Sequence, residues 1–297
     1  MKRAIPWMCV LSVVLASVAV AQPDPDPTDL DLDGLLGIAA PVPEADAPEV
    51  LALQGVGSML IERGHIETFD VSGFTSFLET QGWTVETNTI RPVTVDLLTP
   101  YDIVMIPVGT TNILPFVSSE VEAFESYVQG GGGVWIFHDS GKPPSGINSL
   151  ASAFGITFYN DTVIDSTDNE DNTRFWPRIS ELAVHPATDG VSSFGYYAGC
   201  CLSVSPPAFI LGSGDADAYS ANCNTSPTVL AAYEAGGRVV FSGDNTPLFP
   251  SYYPERLRDE EELLLQNIVN WLLGEGPTAT TPASWGRIKH FYSAETD

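Results

Sequence analysis

Cysteines, basic residues and long apolar runs are all scarce in this sequence. Its 297 residues include 4 cysteines, and 12 lysine and arginine residues stand against 38 aspartate and glutamate residues. Nucleic acids and anionic membranes repel a chain of this charge, which argues against both as partners. No apolar run after residue 21 reaches the roughly 20 residues that a membrane-spanning helix needs. We therefore expect no nucleic-acid partner and no membrane span in the mature chain.

The N-terminus has the features of a secretory signal peptide. Lys2 and Arg3 precede an apolar run, and the small residues Ala19-Val20-Ala21 form a cleavage pattern before Gln22. Residues 1–21 are therefore predicted to be removed on export, and the mature protein is expected in the periplasm, on the cell surface or outside the cell. Loss of two positive charges changes the formal net charge from −26 to −28.

Three cysteines remain after the predicted cleavage, namely Cys200, Cys201 and Cys223. An oxidising compartment favours a disulfide between Cys223 and one member of the vicinal pair, which leaves one thiol unpaired. The spacing lacks the paired Cys-x-x-Cys of a zinc site. These residues are thus disulfide candidates rather than metal ligands.

An acidic segment follows the signal peptide. Residues 22–49 are rich in Pro, Asp and Ala and predict a disordered leader. Within it, Asp29, Asp31 and Asp33 are spaced like the opening of a calcium-binding loop. Ala40 stands where such a loop needs a bidentate glutamate, so the pattern favours an acidic linker over a calcium site.

The C-terminal segment 275–297 has a different composition. A Pro/Thr linker leads into a basic and aromatic tail, in which Trp285, Ile288 and Tyr292 fall at helical spacing. A disordered end is one interpretation. Docking of the tail to a sorting or surface partner is the other.

A glycine-rich turn divides a helix from a buried strand near the middle of the chain. Apolar residues recur at helical spacing up to Val128, with Ser119 and Glu122 interpreted as a capping box and Gly130 at the start of the turn. The continuous apolar run Val134–Phe137 is typical of a strand buried on both faces of a parallel sheet. Polar residues follow directly at its carboxyl end.

Similar alternation of strands and helices continues on both sides of this turn. It predicts an α/β fold for residues 50–274, with a doubly wound, mainly parallel, flavodoxin-like sheet and helices on both faces. Residues 156–226 are interpreted as a β-rich insertion. Its acidic stretch, with Asp161, Asp165, Asp168, Glu170 and Asp171, favours a solvated loop over a calcium site, because the spacing matches no known calcium loop. A last helix is predicted from Glu255 to Leu273.

The polar turns that follow the predicted strands should meet at one edge of this sheet, where open parallel sheets bind ligands. The candidate ligand-binding residues are His65, Glu67, Thr110, His138, Asp139, Ser140, Asp244 and Asn245. Such groups suit a small polar or carbohydrate ligand, acid–base chemistry, or a metal with open coordination positions. His65 could equally be a structural histidine. No cofactor is predicted, and a metal is an open alternative.

Three segments together resemble a known superfamily. Gly131-Gly-Gly-Val-Trp-Ile-Phe-His138, Tyr101-Asp-Ile-Val-Met-Ile-Pro107 and Gly243-Asp-Asn245 are similar to the class I glutamine amidotransferase-like superfamily, nearest to its ThuA-like (trehalose utilisation) group and uncharacterised secreted relatives. The resemblance implies the same α/β fold. Its enzymes carry a cysteine nucleophile in the turn that here reads His138-Asp139-Ser140, without the Gly-x-Ser-x-Gly of a serine nucleophile elbow.

The missing nucleophile shapes the functional expectation. The resemblance implies an exported amidotransferase-like domain that does not hydrolyse glutamine and that binds a small polar or carbohydrate ligand at the sheet edge. A metal-assisted enzyme of sugar or amide metabolism and a structural surface protein are the alternatives.

Overall fold

Strands and helices alternate through residues 56–66, 70–108 and 113–274, which the computed structural model describes. The strands are β1 (Ser58–Glu62), β2 (Thr84–Asn88), β3 (Ile103–Ile106), β4 (Gly133–Phe137), β5 (Ile156–Phe158), β6 (Arg178–Ile179), β7 (Glu181–Leu182), β8 (Phe194–Gly195), β9 (Leu202–Val204), β10 (Phe209–Ser213), β11 (Tyr219–Ser220), β12 (Asn224–Thr225), β13 (Thr228–Ala235) and β14 (Gly237–Ser242). The α-helices are α1 (Ser72–Thr80), α2 (Val95–Leu98), α3 (Ser118–Gln129), α4 (Ser145–Ala151) and α5 (Glu261–Leu272).

Eight of these strands form the central sheet, in the order β2-β1-β3-β4-β14-β13-β10-β7. The first five are parallel, and the last three continue the sheet in antiparallel pairing. The arrangement of the parallel strands is the doubly wound, flavodoxin-like order. The predicted fold class, a mainly parallel sheet with helices on both faces and a β-rich addition, is confirmed.

Buried aromatic side chains join the sheet to its covering helices. Trp135 of β4 lies edge-on to Phe74 of α1, with ring centroids 5.9 Å apart. The same face of the sheet meets Leu264 and Ile268 of α5. Burial of such large apolar side chains is the main stabilising contribution to the fold. Among the described helices, the longest have 12 residues, and none has the length and hydropathy of a bilayer span.

The insertion is more closely integrated with the sheet than predicted. Two of its strands, β7 and β10, extend the central sheet beyond β13. Its other strands form three separate two-stranded pairs, β5 with β9, β6 with β8, and β11 with β12. Strands of two to five residues leave too short a pattern for the sequence to show which sheet they join.

The predicted capping box of α3 is wrong by two residues. The helix begins at Ser118, so the third helical position is Glu120 rather than Glu122. The Glu120 carboxylate accepts a hydrogen bond from the Val117 backbone N–H at 2.9 Å. Glu122 is exposed. Glu120 therefore caps the helix from the buried side.

The predicted start of the last helix at Glu255 is also wrong. Helix α5 begins at Glu261, because Asp259 has a φ of 52°, which a right-handed helix does not accommodate. The predicted signal peptide, the acidic leader with Asp29, Asp31 and Asp33, and the C-terminal tail lie outside the described residues.

Candidate functional site

Two polar turns meet at the carboxyl edge of the sheet. Strands β4 and β14 are parallel neighbours, with Phe137 in register with Ser242. The His138 N–H continues this pairing by donating to the Ser242 carbonyl at 2.9 Å. The turn His138-Asp139-Ser140 therefore lies beside the turn Gly243-Asp244-Asn245, as expected for the ends of adjacent parallel strands.

A pair of aspartates occupies these two turns. Asp244 is buried, and its carboxylate accepts the backbone N–H of Tyr197 at 2.6 Å and that of Thr246 at 2.8 Å. Burial raises the pKa of Asp244 to about 6. Burial and then the nearby Asp244 charge raise the pKa of Asp139 well above its ordinary value, while the hydrogen bond from the Ser140 N–H and then the Lys142 charge act in the opposite direction. The pair therefore retains a proton more readily than two solvated carboxyls.

Replacing Asp139 by asparagine should stabilise the protein at neutral pH. Because folding raises both carboxyl pKa values, their contribution to stability is complete below about pH 4. The part due to Asp244 is lost as the pH rises through about 6, and the part due to Asp139 is lost as the pH rises through its own raised pKa. Asp139→Asn removes the titrating carboxyl group at position 139 and, with it, the charge repulsion of Asp244. We expect a free energy of unfolding higher by about 1 kcal/mol at pH 7.5 and unchanged at pH 4.

Urea unfolding at both pH values measures this effect, with Asp189→Asn, an exposed position, as the control. The control should give equal shifts at the two pH values. A destabilisation of Asp139→Asn at pH 7.5 would contradict the pairing of the two aspartates.

His138 and Asn245 each present a buried atom without a hydrogen-bond partner. The His138 Nε2 atom lies 3.2 Å from the Lys142 carbonyl oxygen, which can only accept, so Nε2 carries the hydrogen. Burial lowers the pKa of His138 to about 4, which leaves the ring neutral and Nδ1 as an acceptor. Asn245 donates from Nδ2 to the Val108 carbonyl at 3.3 Å. His138 Nδ1 and Asn245 Oδ1 are both unpaired acceptors.

Part of the insertion packs against these turns. Cys200 donates its backbone N–H to the Gly243 carbonyl at 2.8 Å, and the Tyr196 hydroxyl donates to the Cys200 carbonyl. A side chain at position 243 would place its Cβ 2.1 Å from the Cys200 carbonyl oxygen, so this close approach requires glycine. The sequence patterns did not reveal the contacts of Tyr196 and Tyr197, because the insertion has no clear periodicity.

The free thiol of Cys200 lies in the part of the insertion that packs against the two turns, and its environment does not activate it. The residue is fully buried. Burial, and then the charges of Asp139, Asp161 and Asp244, raise the pKa of the Cys200 thiol well above its ordinary value. Because the thiolate is the nucleophilic form, this thiol is a poor nucleophile in the folded protein. Cys201 and Cys223 form a disulfide with their Cα atoms 6.4 Å apart.

His65 belongs to a separate buried network at the end of β1. Its Nδ1 lies 3.0 Å from Glu62 Oε1, and its Nε2 lies 3.2 Å from Glu120 Oε2. The ring stacks on Phe116 with centroids 3.8 Å apart, and Arg91 Nε lies 3.1 Å from Nε2. Both ring nitrogens are thus occupied by protein groups. This arrangement favours the structural interpretation of His65.

The structure does not bring His65 and His138 together as metal ligands. Their strands, β1 and β4, are separated by β3 in the sheet. In the part of the chain that is described, one cluster of acidic side chains brings its possible ligand atoms within 4.8 Å of one another. Neither histidine belongs to this cluster. Glu67 and Thr110, the other candidates from the first two turns, lie outside the described residues.

A small cavity lies behind the site, between the sheet and α5. Its volume is about 30 Å³, and its lining includes the carboxyl groups of Asp244 and Glu261 among apolar side chains. Such a volume holds about two water molecules. A sugar-sized ligand does not fit there, which leaves the half-buried Asp139 and Ser140 as the accessible side of the site.

Comparison with known proteins shows similarity of fold. No family model and no curated protein matches the chain. It aligns with the N-terminal domain of mmIFT52 with a TM-score of 0.59 and 18% identity, over 72% of this chain and 97% of that domain. A Bacteroides uniformis protein described as ThuA-like aligns with a TM-score of 0.49 and 16% identity, over 81% of this chain and 98% of its own length.

A Thermoplasma acidophilum protein described as a GMP synthase component aligns with a TM-score of 0.45 and 10% identity, over 80% of this chain and 98% of its own length. The alignment with the mmIFT52 domain supports an α/β fold for the chain. At such identities the comparison describes architecture alone, and an activity has to be argued from the site.

Proposed function

We propose that this chain is an exported, amidotransferase-like domain without a nucleophilic cysteine at the sheet edge, and that it binds a small ligand rich in hydroxyl groups, such as a sugar or polyol. The ligand contacts the turns after β4 and β14. The observation that carries the proposal is the pair of unpaired acceptors, His138 Nδ1 and Asn245 Oδ1.

The chemistry of these atoms selects the ligand class. A buried acceptor without a donor is unfavourable by about 1–3 kcal/mol, and a ligand O–H group removes that penalty. Asp139 adds a carboxyl group on the accessible side, which accepts hydrogen bonds and donates one when it is protonated, and Ser140 adds a hydroxyl that can donate or accept. Because acceptors predominate, the site favours donors on the ligand over carboxylates or phosphates, which bring acceptors alone.

Export is supported by two observations. The sequence begins with the pattern of a signal peptide, and Cys201 and Cys223 form a disulfide. Disulfides persist in oxidising compartments and are rare in the cytosol. A carbohydrate or polyol ligand is compatible with a periplasmic, surface or extracellular location.

The proposal is tested by thermal unfolding with a panel of glucose, galactose, trehalose and myo-inositol, followed by calorimetric titration of the compound that raises Tm. His138→Phe keeps a planar ring and Asn245→Leu keeps a side chain branched at Cγ, but both remove the acceptor. Each is expected to weaken binding about tenfold or more, since a lost hydrogen bond to a buried group is worth roughly 1.4 kcal/mol.

His185→Phe is the matched control, because His185 is likewise hydrogen-bonded to the backbone, where it accepts the Ala187 N–H at 3.1 Å, but lies outside the site. The control should retain full affinity. No Tm shift with any of the four compounds, or equal affinity in His138→Phe and wild type, would overturn the proposal.

A further inference from the structure

A second acidic cluster lies in the insertion, away from the sheet-edge site. Asp165, Asp215 and Asp217 each place a carboxylate oxygen within 4.8 Å of the others. The two segments that carry them are joined by a β-bridge, in which Ile164 and Tyr219 exchange backbone hydrogen bonds of 2.9 and 2.8 Å. The bridge therefore holds residues some 50 positions apart in the sequence against each other.

Asp165 is the buried member of this cluster. Its side chain is oriented by Oδ1, which accepts the backbone N–H groups of Thr167 at 2.8 Å and Asp168 at 2.9 Å. The residue is 1% exposed, and its second oxygen, Oδ2, has no hydrogen-bond partner. A buried carboxylate oxygen without a donor is strongly unfavourable unless a cation or a proton reaches it.

The other two aspartates open the cluster toward solvent. Asp215 is half-buried and is held by the Ala218 N–H, which donates to its Oδ1 at 3.0 Å. Asp217 is exposed, and the Thr167 hydroxyl donates to its Oδ2 at 2.6 Å. The cluster therefore has a buried oxygen at one end and an exposed carboxylate at the other. Water can reach the exposed end and complete the coordination shell of a bound ion.

Nearby arginines are engaged with other acids. Arg178 contacts Glu170 at 2.9 Å and Asp259 at 3.0 Å. Arg258 contacts Asp171 at 3.1 Å. Arg178 and Arg258 are thus directed to carboxylates outside the cluster.

We propose that Asp165, Asp215 and Asp217 bind one calcium ion. The three carboxylates supply hard oxygen ligands, which suit calcium, magnesium and manganese. Soft metals prefer thiolate ligands, which this cluster does not contain. Two oxygens on opposite sides of calcium lie up to about 5 Å apart, twice the metal–oxygen distance, whereas magnesium limits them to about 4.2 Å. The three oxygens lie within 4.8 Å of one another, a span that the ligands of one calcium ion can bridge.

The sequence could not reveal this site. The acidic stretch between residues 161 and 171 contributes Asp165 alone, and the remaining ligands come from residues 215 and 217. Known calcium loops are recognised by ligands at short, fixed intervals. A site assembled from two distant loops has no such signature.

The test is calorimetric titration of CaCl₂ into the full mature chain after chelator treatment, with MgCl₂ titrated separately. One saturable calcium site is expected, with a Kd of about 10⁻⁴ to 10⁻³ M as in extracellular calcium modules. Calcium should raise Tm, and magnesium should bind at least tenfold more weakly. An absence of saturable calcium heat, or a Kd for magnesium equal to that for calcium, would overturn the proposal.

Variants separate ligation from folding. Asp165→Asn should abolish binding, but Asp165 also supports the fold, so the exposed Asp217→Asn is the decisive variant, with an expected loss of tenfold or more. Asp168→Asn, in the same loop but outside the cluster, should stay within twofold of wild type. Unchanged affinity in Asp217→Asn would contradict the site.

His138→Phe should leave calcium binding intact, which separates this test from that of the sheet-edge ligand.

Discussion

Replacing Glu120 by alanine is expected to lower the free energy of unfolding by about 3–5 kcal/mol. The Glu120 side chain is fully buried and accepts the backbone N–H groups of Val93 at 3.0 Å and Val117 at 2.9 Å, beside His65 at 3.2 Å. Its removal leaves two backbone donors and the histidine without their partner. Such losses in a buried network are among the largest effects of single substitutions.

Glu122→Ala on the same helix is the matched control, because Glu122 is exposed. Its effect should stay within about 0.5 kcal/mol. Urea unfolding monitored by tryptophan fluorescence gives both values from the linear dependence of the free energy on denaturant. A loss below about 1 kcal/mol for Glu120→Ala would show that the network is not a stabilising element.

The Glu120 effect should also depend on pH. Burial by itself raises the pKa of Glu120, but hydrogen bonds from Val117, Val93 and His65 outweigh burial and leave this pKa below its ordinary value of 4.5. Because the folded-state pKa is lowered, the stabilisation is present above about pH 4.5 and is lost as the pH falls through the lowered pKa. The difference between wild type and Glu120→Ala should therefore shrink at acidic pH.

Opening the Cys201–Cys223 disulfide is expected to cost about 3 kcal/mol. The bond closes a loop with a sequence separation of 22 residues. Removing such a cross-link gives the unfolded chain more conformational freedom, and the chain-entropy relation gives about 3 kcal/mol for a loop of this length. Cys223→Ser should accordingly match the stability of wild type measured in reductant.

Cys200→Ala serves as the control for the free thiol. This variant keeps the disulfide, so reductant should still destabilise it by about the same 3 kcal/mol. The buried Cys200 thiol should react with a thiol reagent at the rate of unfolding in the native protein. Equal stability of wild type with and without reductant would contradict the prediction.

The parallel part of the fold was predictable because its strands have a distinct sequence pattern. Strands β3 and β4 are buried along their whole length, so they appear as short continuous apolar runs. The glycines that end the preceding elements also adopt the expected left-handed conformation, as at Gly82 with a φ of 90° and Gly155 with a φ of 82°. Local signals and tertiary structure agree in this region.

The site was only partly predictable for a related reason. The rule that ligands bind at strand ends selects the turns at His138 and Asp244, and these turns are adjacent in the structure. Tyr197 and Cys200 reach the same site through backbone contacts made by an aperiodic insertion. No spacing in the sequence encodes contacts of that kind, since backbone donors are common to all residues except proline.

Glu120 illustrates a second limit. On an amphipathic helix an acidic residue normally belongs to the solvated face, and Glu122 two positions away does so. Glu120 is buried because backbone N–H groups from a separate loop and from the helix start converge on it. The helix starts two residues earlier than the sequence pattern predicted, so Glu120 rather than Glu122 takes the capping position, and helix boundaries are the least certain feature of a sequence pattern.

The pairing of β4 with β14 sets the order of events during synthesis. Gly133–Phe137 must find Gly237–Ser242, a partner that leaves the ribosome about a hundred residues later. Until then β4 is the open edge of a four-stranded sheet, with unpaired backbone groups available to other chains. Slow formation of such distant contacts exposes the nascent protein to misassembly. The β4 edge is thus most exposed to misassembly during the interval in which residues 138–236 emerge.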